Sequence, residues 1–282
     1  MDLKQNPFSF YDFLGYFVPG SFLIYFFIIF SNYTSLENNE TIRFIEAQDL
    51  KGIELYAPLI LLAYICGHLA SFLSALTIEK HTNWIYGSPS KTLLGHYQKS
   101  YFSNGPEHFR NNLLRCIVFV SILPVSVLDM LFNKVLGSKE LLNKPLDDLS
   151  KEILEQKVRS ILKEHGQVNN TDIDLSAPTN NFFLYIYHFA LENTQNHAPK
   201  MQNYVALFGL MRTITFCFVV FFWVAMWHLT YNKSELKSLI VIVLITTIPT
   251  YIFYLAFIKF YRRFTLESLM AACSVESIET KT

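Results

Sequence analysis

Charges are missing from this chain in blocks. Phe13 to Leu36, Leu55 to Ile78, Thr213 to Asn232 and Ser238 to Ile258 contain no Asp, Glu, Lys or Arg. About 20 apolar residues in a helix cross the ~30 Å hydrocarbon core of a bilayer, and each block is long enough. A helix that faces water keeps a polar side, so one left uncharged all round for this length belongs in lipid. The four blocks predict an all-α polytopic membrane protein with four transmembrane helices. Average composition hides this. The chain is 51% hydrophobic, close to a soluble domain, and only the charged share, 16%, falls below the usual ~25%. With 23 basic and 23 acidic side chains it carries no basic footprint for nucleic acid.

A fifth apolar stretch is different. Cys116 to Leu128 holds 13 residues, has Pro124 near its middle, and is flanked by Arg115 and Asp129. Runs of about 10–14 residues favour re-entrant or interfacial placement over spanning. Lys and Arg mark loops on the cytoplasmic side. The loop Asn32–Glu54 carries two bases and five acids, whereas 79–115 carries five bases and two acids, and Lys259, Arg262 and Arg263 follow the last block. Four spans put both basic clusters in the cytosol with both termini, and the acidic loop outside. Five spans would turn the second cluster outward. The expectation is four spans, with 113–132 interfacial or re-entrant. Asp12 abuts the first block and no small-x-small site follows it, so that helix reads as a retained anchor.

The expected organisation is transmembrane helices 1 and 2 in 1–78, a helical cytoplasmic insertion in 79–203, helices 3 and 4 in 204–258, and a cytoplasmic tail in 259–282. Within the insertion, Leu146, Leu149, Ile153, Leu154, Val158, Ile161 and Leu162 recur at helical spacing up to Gly166. They predict an amphipathic helix that packs on its own domain or binds a partner. Phe182 to Leu191 is apolar but too short to span. From Pro199 a helical pattern runs unbroken to Tyr231, roughly 48 Å at 1.5 Å per residue. A helix longer than the membrane is a route for coupling a cytoplasmic event to the bilayer.

A few polar residues stand out against the apolar blocks. Arg212 sits where the third block begins. It either snorkels to the headgroups or forms a structural or gating ion pair, with Asp129 or Glu79 as partner. His68 lies mid-span, as a helix-packing hydrogen-bonder or a pore-lining group. Gly67, Ser71 and Ala75 make a small-xxx-small row that lets helices approach closely. Pro19 and Gly20 predict a kink or break in the first helix. The four cysteines form no CxxC, and there is no HExxH, Walker A or GxSxG motif. No cofactor, metal or catalytic residue is expected, and no enzyme activity. Asn32, Asn39 and Asn232 occupy glycosylation sequons.

Three segments, FYDFLGYFVPG at Phe10–Gly20, AYICGHLASFLSALTIEK with YGSPSKTLL between Ala63 and Leu94, and HAPKMQNYVALFGLMRT at His197–Thr213, together resemble a family of uncharacterised bacterial multi-pass inner-membrane proteins. They cover about a fifth of the chain. The resemblance implies a bacterial inner-membrane location, and Arg212, Glu79 and Pro89 fall on the shared segments. In layout, though not in motifs, the chain is similar to membrane effectors of bacterial anti-phage systems. Two functions follow as expectations. One is an effector or channel-like homo-oligomer controlled by a cytoplasmic protein or ligand at 79–203. The other is a non-catalytic scaffold or accessory subunit that anchors a cytoplasmic partner. A small transporter ranks third.

Overall fold

The computed structural model describes residues 12–34, 52–96, 101–102, 109–136, 144–166, 174–177, 181–231 and 236–275. Among them there are helices and turns and no strand. Helices long and apolar enough to cross a membrane cover Phe13–Phe30, Tyr56–Leu93, Ala198–Tyr231 and Val243–Ser274. The chain is an all-α polytopic protein. Of the sequons, Asn39 and Asn232 lie outside the described residues.

In chain order, a π-helical turn Phe13–Phe17 leads into α1 (Val18–Thr34), and α2 (Ile53–Ser74) continues through a second π-helical turn, Ala75–Glu79, into α3 (Lys80–Tyr86). Next come α4 (Pro89–Leu93), α5 (Phe109–Ser121), α6 (Leu123–Leu136), α7 (Asp148–Glu164), α8 (Phe182–Asn193), α9 (Ala198–Tyr231) and α10 (Leu236–Ser274). The chain divides into two compact units. Unit one holds Met1–Glu79, Phe119–Leu128 and Gly209–Phe257; unit two holds Lys80–Val118, Asp129–Phe208 and Ile258–Thr282.

In unit one, α1 and α2 run antiparallel and touch backbone to backbone. A Cβ added at Gly67 would lie 1.8 Å from the Tyr16 carbonyl oxygen, and one at Gly20 would lie 1.8 Å from that of Ala63. Only glycine permits this approach. The small-residue row is therefore split: Gly67 makes the helix contact, while Ser71 and Ala75 are half-buried further along. The expected break at Pro19 and Gly20 takes a milder form, because helix continues through them. The Val18 N–H reaches back five residues to the Phe13 carbonyl. Pro19 has no N–H to extend that wide register, so the ordinary α ladder resumes. Aromatic rings fill the space between α1 and α9: Phe26 stacks on Phe221 at 3.4 Å between centroids, and Phe22 meets Phe218 at 5.3 Å.

The fifth apolar stretch forms two helices, α5 and α6, bent by 100°. Pro124 explains the site of the bend: it has no N–H with which to continue the α5 ladder, and it sits in the first turn of α6, where none is needed. The carbonyls that the bend frees find other donors, as buried backbone groups do. Ser126 Oγ donates to the Phe119 carbonyl at 2.8 Å, and Trp223 Nε1 donates to that of Ser121 at 2.7 Å.

Unit two is built around a core of large aliphatic side chains. Leu154, Val158, Ile161 and Leu162 of α7 join Phe182, Ile186 and Ala190 of α8, with Leu93, Leu94, Leu175, Met201 and Leu269. The amphipathic helix thus packs on its own unit, but with a narrower stripe than its spacing predicts: Leu149 and Ile153 are exposed. Its start is capped by Asp147, whose Oδ2 accepts from the Ser150 N–H at 2.9 Å. The described part of 259–282, expected as a tail, is instead roughly the last four turns of α10. Its Leu269, Ala271 and Ala272 are buried in this core.

Candidate functional site

Three polar side chains of unit one converge on Arg212. Its guanidinium donates to Glu79 Oε2, to Ser74 Oγ at 3.1 Å and to Ser71 Oγ at 3.3 Å. The Arg212 side chain is 11% exposed and that of Glu79 26%. One cation is therefore shared among three acceptors from a single neighbouring stretch, α2 and its π turn. Ser74 is fully buried and also donates to the Ser71 carbonyl at 2.7 Å.

The π turn is what assembles this clasp. In an α-helix each residue advances about 100°, so Glu79 would sit about 140° around the axis from Ser74. The i→i+5 turn at Ala75–Glu79 takes more residues per revolution and swings Glu79 back toward the serine face. Two serines and a carboxylate then meet one arginine. Arg212 immediately precedes the charge-free block 213–232, and Glu79 immediately follows 55–78, so the ion pair stands where each apolar block ends. A charge this well paired is retained in a setting that penalises an isolated one.

No protein-family model, curated protein or solved structure matches this chain.

The other candidates are dispersed. Of the two acids considered for Arg212, Glu79 is the partner. Asp129 belongs to unit two, where it is fully buried and accepts from the Tyr86 hydroxyl at 2.5 Å. His68 is exposed on α2 and lies flat on Tyr16, 3.8 Å between centroids, with Tyr64 edge-on at 4.5 Å. Pro19 and Gly20 are buried, and the Pro19 carbonyl accepts from Cys217 Sγ at 3.8 Å. Pro89 opens α4 at the first helical position, where its missing N–H costs nothing.

Two polar clusters of unit two escaped the sequence reading. In one, the Tyr101 hydroxyl lies 3.2 Å from His81 Nδ1, while the Arg115 guanidinium donates to the Tyr101 carbonyl and covers the Trp84 ring at 5.3 Å. Burial pushes the Tyr101 phenol up to about 12, against the pull of nearby Arg115. In the other, Glu267 Oε1 meets Lys200 Nζ at 2.7 Å and His197 Nδ1 at 3.3 Å. Neither follows from spacing in the chain, because the groups in contact lie 14 to 70 residues apart. Among the described residues no group of three or more His, Cys, Asp or Glu side chains is placed to hold a metal.

Proposed function

We propose that this protein is a non-catalytic effector of the bacterial inner membrane, working as a homo-oligomer in a channel-like manner, with both termini in the cytosol. On this reading a cytoplasmic protein or ligand acts on unit two and changes the membrane unit, as anti-phage effectors of similar layout do. The observation that carries the proposal is the Arg212 clasp. It ties α9 to the π turn that follows α2; α9 begins among residues of unit two, and α3, which follows that turn, belongs to unit two. The helix α9 has 34 residues, about 51 Å at 1.5 Å each, and α10 has 39. Both exceed a ~30 Å hydrocarbon core. An ion pair between α9 and the turn that follows α2 is suited to hold one of two arrangements, because its loss leaves a charge that must find water.

The test is ion flux through proteoliposomes. Arg212→Glu should place two carboxylates together, release the clasp and raise the leak. The swap Arg212→Glu with Glu79→Arg should restore tightness. Liposomes that stay tight with Arg212→Glu would overturn the effector reading. The scaffold alternative is favoured by one observation: Leu149, Ile153, Leu184 and Tyr185 are exposed on α7 and α8. If those residues dock a cytoplasmic protein, that protein co-purifies and no variant conducts.

A further inference from the structure

The exposed side of α2 carries a seam. Leu61, Ile65, His68, Phe72 and Leu76 follow one another at spacings of four, three, four and four residues, the alternation by which helices pair. The four apolar members are 60%, 47%, 61% and 37% exposed, and His68 is exposed between them. The opposite side of α2, with Ala63, Gly67, Ala70 and Ser74, is already buried. Of the most apolar 18 residues in the spans containing α1 and α2, 22% are buried, against 56% in α9.

An apolar seam alone is adequately covered by lipid. His68 is not. It lies at the middle of a charge-free block of 24 residues, too far from either end to snorkel. Its ring faces of contact are Tyr16 and Tyr64, and among the described residues its nitrogens make no hydrogen bond. A neutral imidazole carries one donor and one acceptor, and hydrocarbon supplies a partner for neither. We infer that a second copy of this chain packs along the Leu61–Leu76 seam of α2, with His68 as its central polar contact. Two copies related by a two-fold axis bring the same seam together, and the N–H of one imidazole meets the bare nitrogen of the other. A single polar residue in an apolar seam also fixes register. The flat Tyr16 ring holds the imidazole in one orientation toward that neighbour. The inference rests on the homo-oligomer proposed above and specifies the face that forms it.

Disulfide crosslinking of the full-length protein in native membranes tests this. The background carries Cys66→Ala, Cys116→Ala and Cys273→Ala. Ile65→Cys and Phe72→Cys should each give a crosslinked dimer, and Ile29→Cys and Ile252→Cys, on other exposed faces, should not. In lipid nanodiscs, His68→Phe keeps the ring stacking and loses the hydrogen bond, and should raise the dissociation constant about tenfold. His68→Gln should recover most of it. Crosslinking at Ile252→Cys instead of Ile65→Cys would overturn the seam and leave the oligomer standing. A monomer by native mass spectrometry, with no crosslink at any position, would overturn both.

Discussion

The two units use different contacts to hold their helices. Unit one joins α1 to α2 by bare backbone at Gly20 and Gly67 and joins α2 to α9 by one arginine with three acceptors. Unit two joins α7, α8 and α10 by leucines, isoleucines and a phenylalanine packed into one core. The two patterns are those that lipid and water respectively favour. Lipid tails are as apolar as leucine, so burying leucine there gains little. Close packing at small residues and polar contacts supply the association. In water, removing apolar area from solvent is the main favourable term. The two units thus draw on different kinds of contact.

The sharpest way to break that comparison is to make the smallest change in each unit. Gly67→Ala adds a single methyl, but within 1.8 Å of a backbone oxygen that cannot rotate away. It should destabilise unit one by about 3 kcal/mol or more. Ile186→Ala removes a fully buried side chain from unit two and should cost about 2–5 kcal/mol. Hydrogen exchange read by peptide separates the two. The first variant should speed exchange in peptides of α1 and α2, and the second in those of α7 and α8. The contrast fails if Gly67→Ala is tolerated, or if adding a methyl is harmless where removing three carbons is not.

The clasp sharpens the comparison further, since it is the polar contact of a unit with little hydrophobic drive. Arg212→Ala leaves Glu79 and Ser74 without their donor and should cost about 2–3 kcal/mol, reduced from a fully buried pair because Glu79 is partly exposed. Arg212→Lys keeps the charge and cannot reach three acceptors from one planar head, so it should recover only part. A double-mutant cycle with Ser74→Ala should show coupling of about 1 kcal/mol, read from thermal unfolding in a fixed detergent. Strict additivity would mean that Ser74 is a bystander.

The spans were legible because charge is absent over lengths that no soluble helix tolerates, and α7 was legible because its apolar residues recur on one side. Glu79 was readable only as one of two possible partners for Arg212. The choice depends on a π turn, and nothing in the letters ALTIE separates five residues of wide helix from five of ordinary helix. Likewise the spacing of α7 includes Leu149 and Ile153 in its stripe. Which part of a stripe is covered depends on the position of α8, a tertiary fact. The continuation of α10 beyond Lys259 was hidden because the basic run looks like the end of a membrane helix. Beyond it, Leu269, Ala271 and Ala272 fall in a short run, Leu269 to Cys273, that is far too brief to read as a core element and finds its place only in the folded core.

The smallest effect concerns the first turn of α7. Asp147 caps that turn, and the bond from the Ser150 N–H holds its carboxyl below the usual carboxylate range. A folded-state value below the free one means that the carboxylate form is favoured by folding. Its contribution is fully present above the free value, about pH 4, and is lost as pH falls through the lower folded value. Asp147→Asn keeps a capping oxygen but has no charge to titrate. It should leave α7 nearly as stable at neutral pH while removing this group's share of the acid sensitivity. Asp147→Ala should fray the turn at every pH. Hydrogen exchange of the Asp148–Lys151 amides between pH 3 and 7, corrected for intrinsic rates, reads all three. If the wild type and Asp147→Asn protect these amides identically across that range, the cap acts through its hydrogen bond alone. Its charge would then add nothing to the helix start.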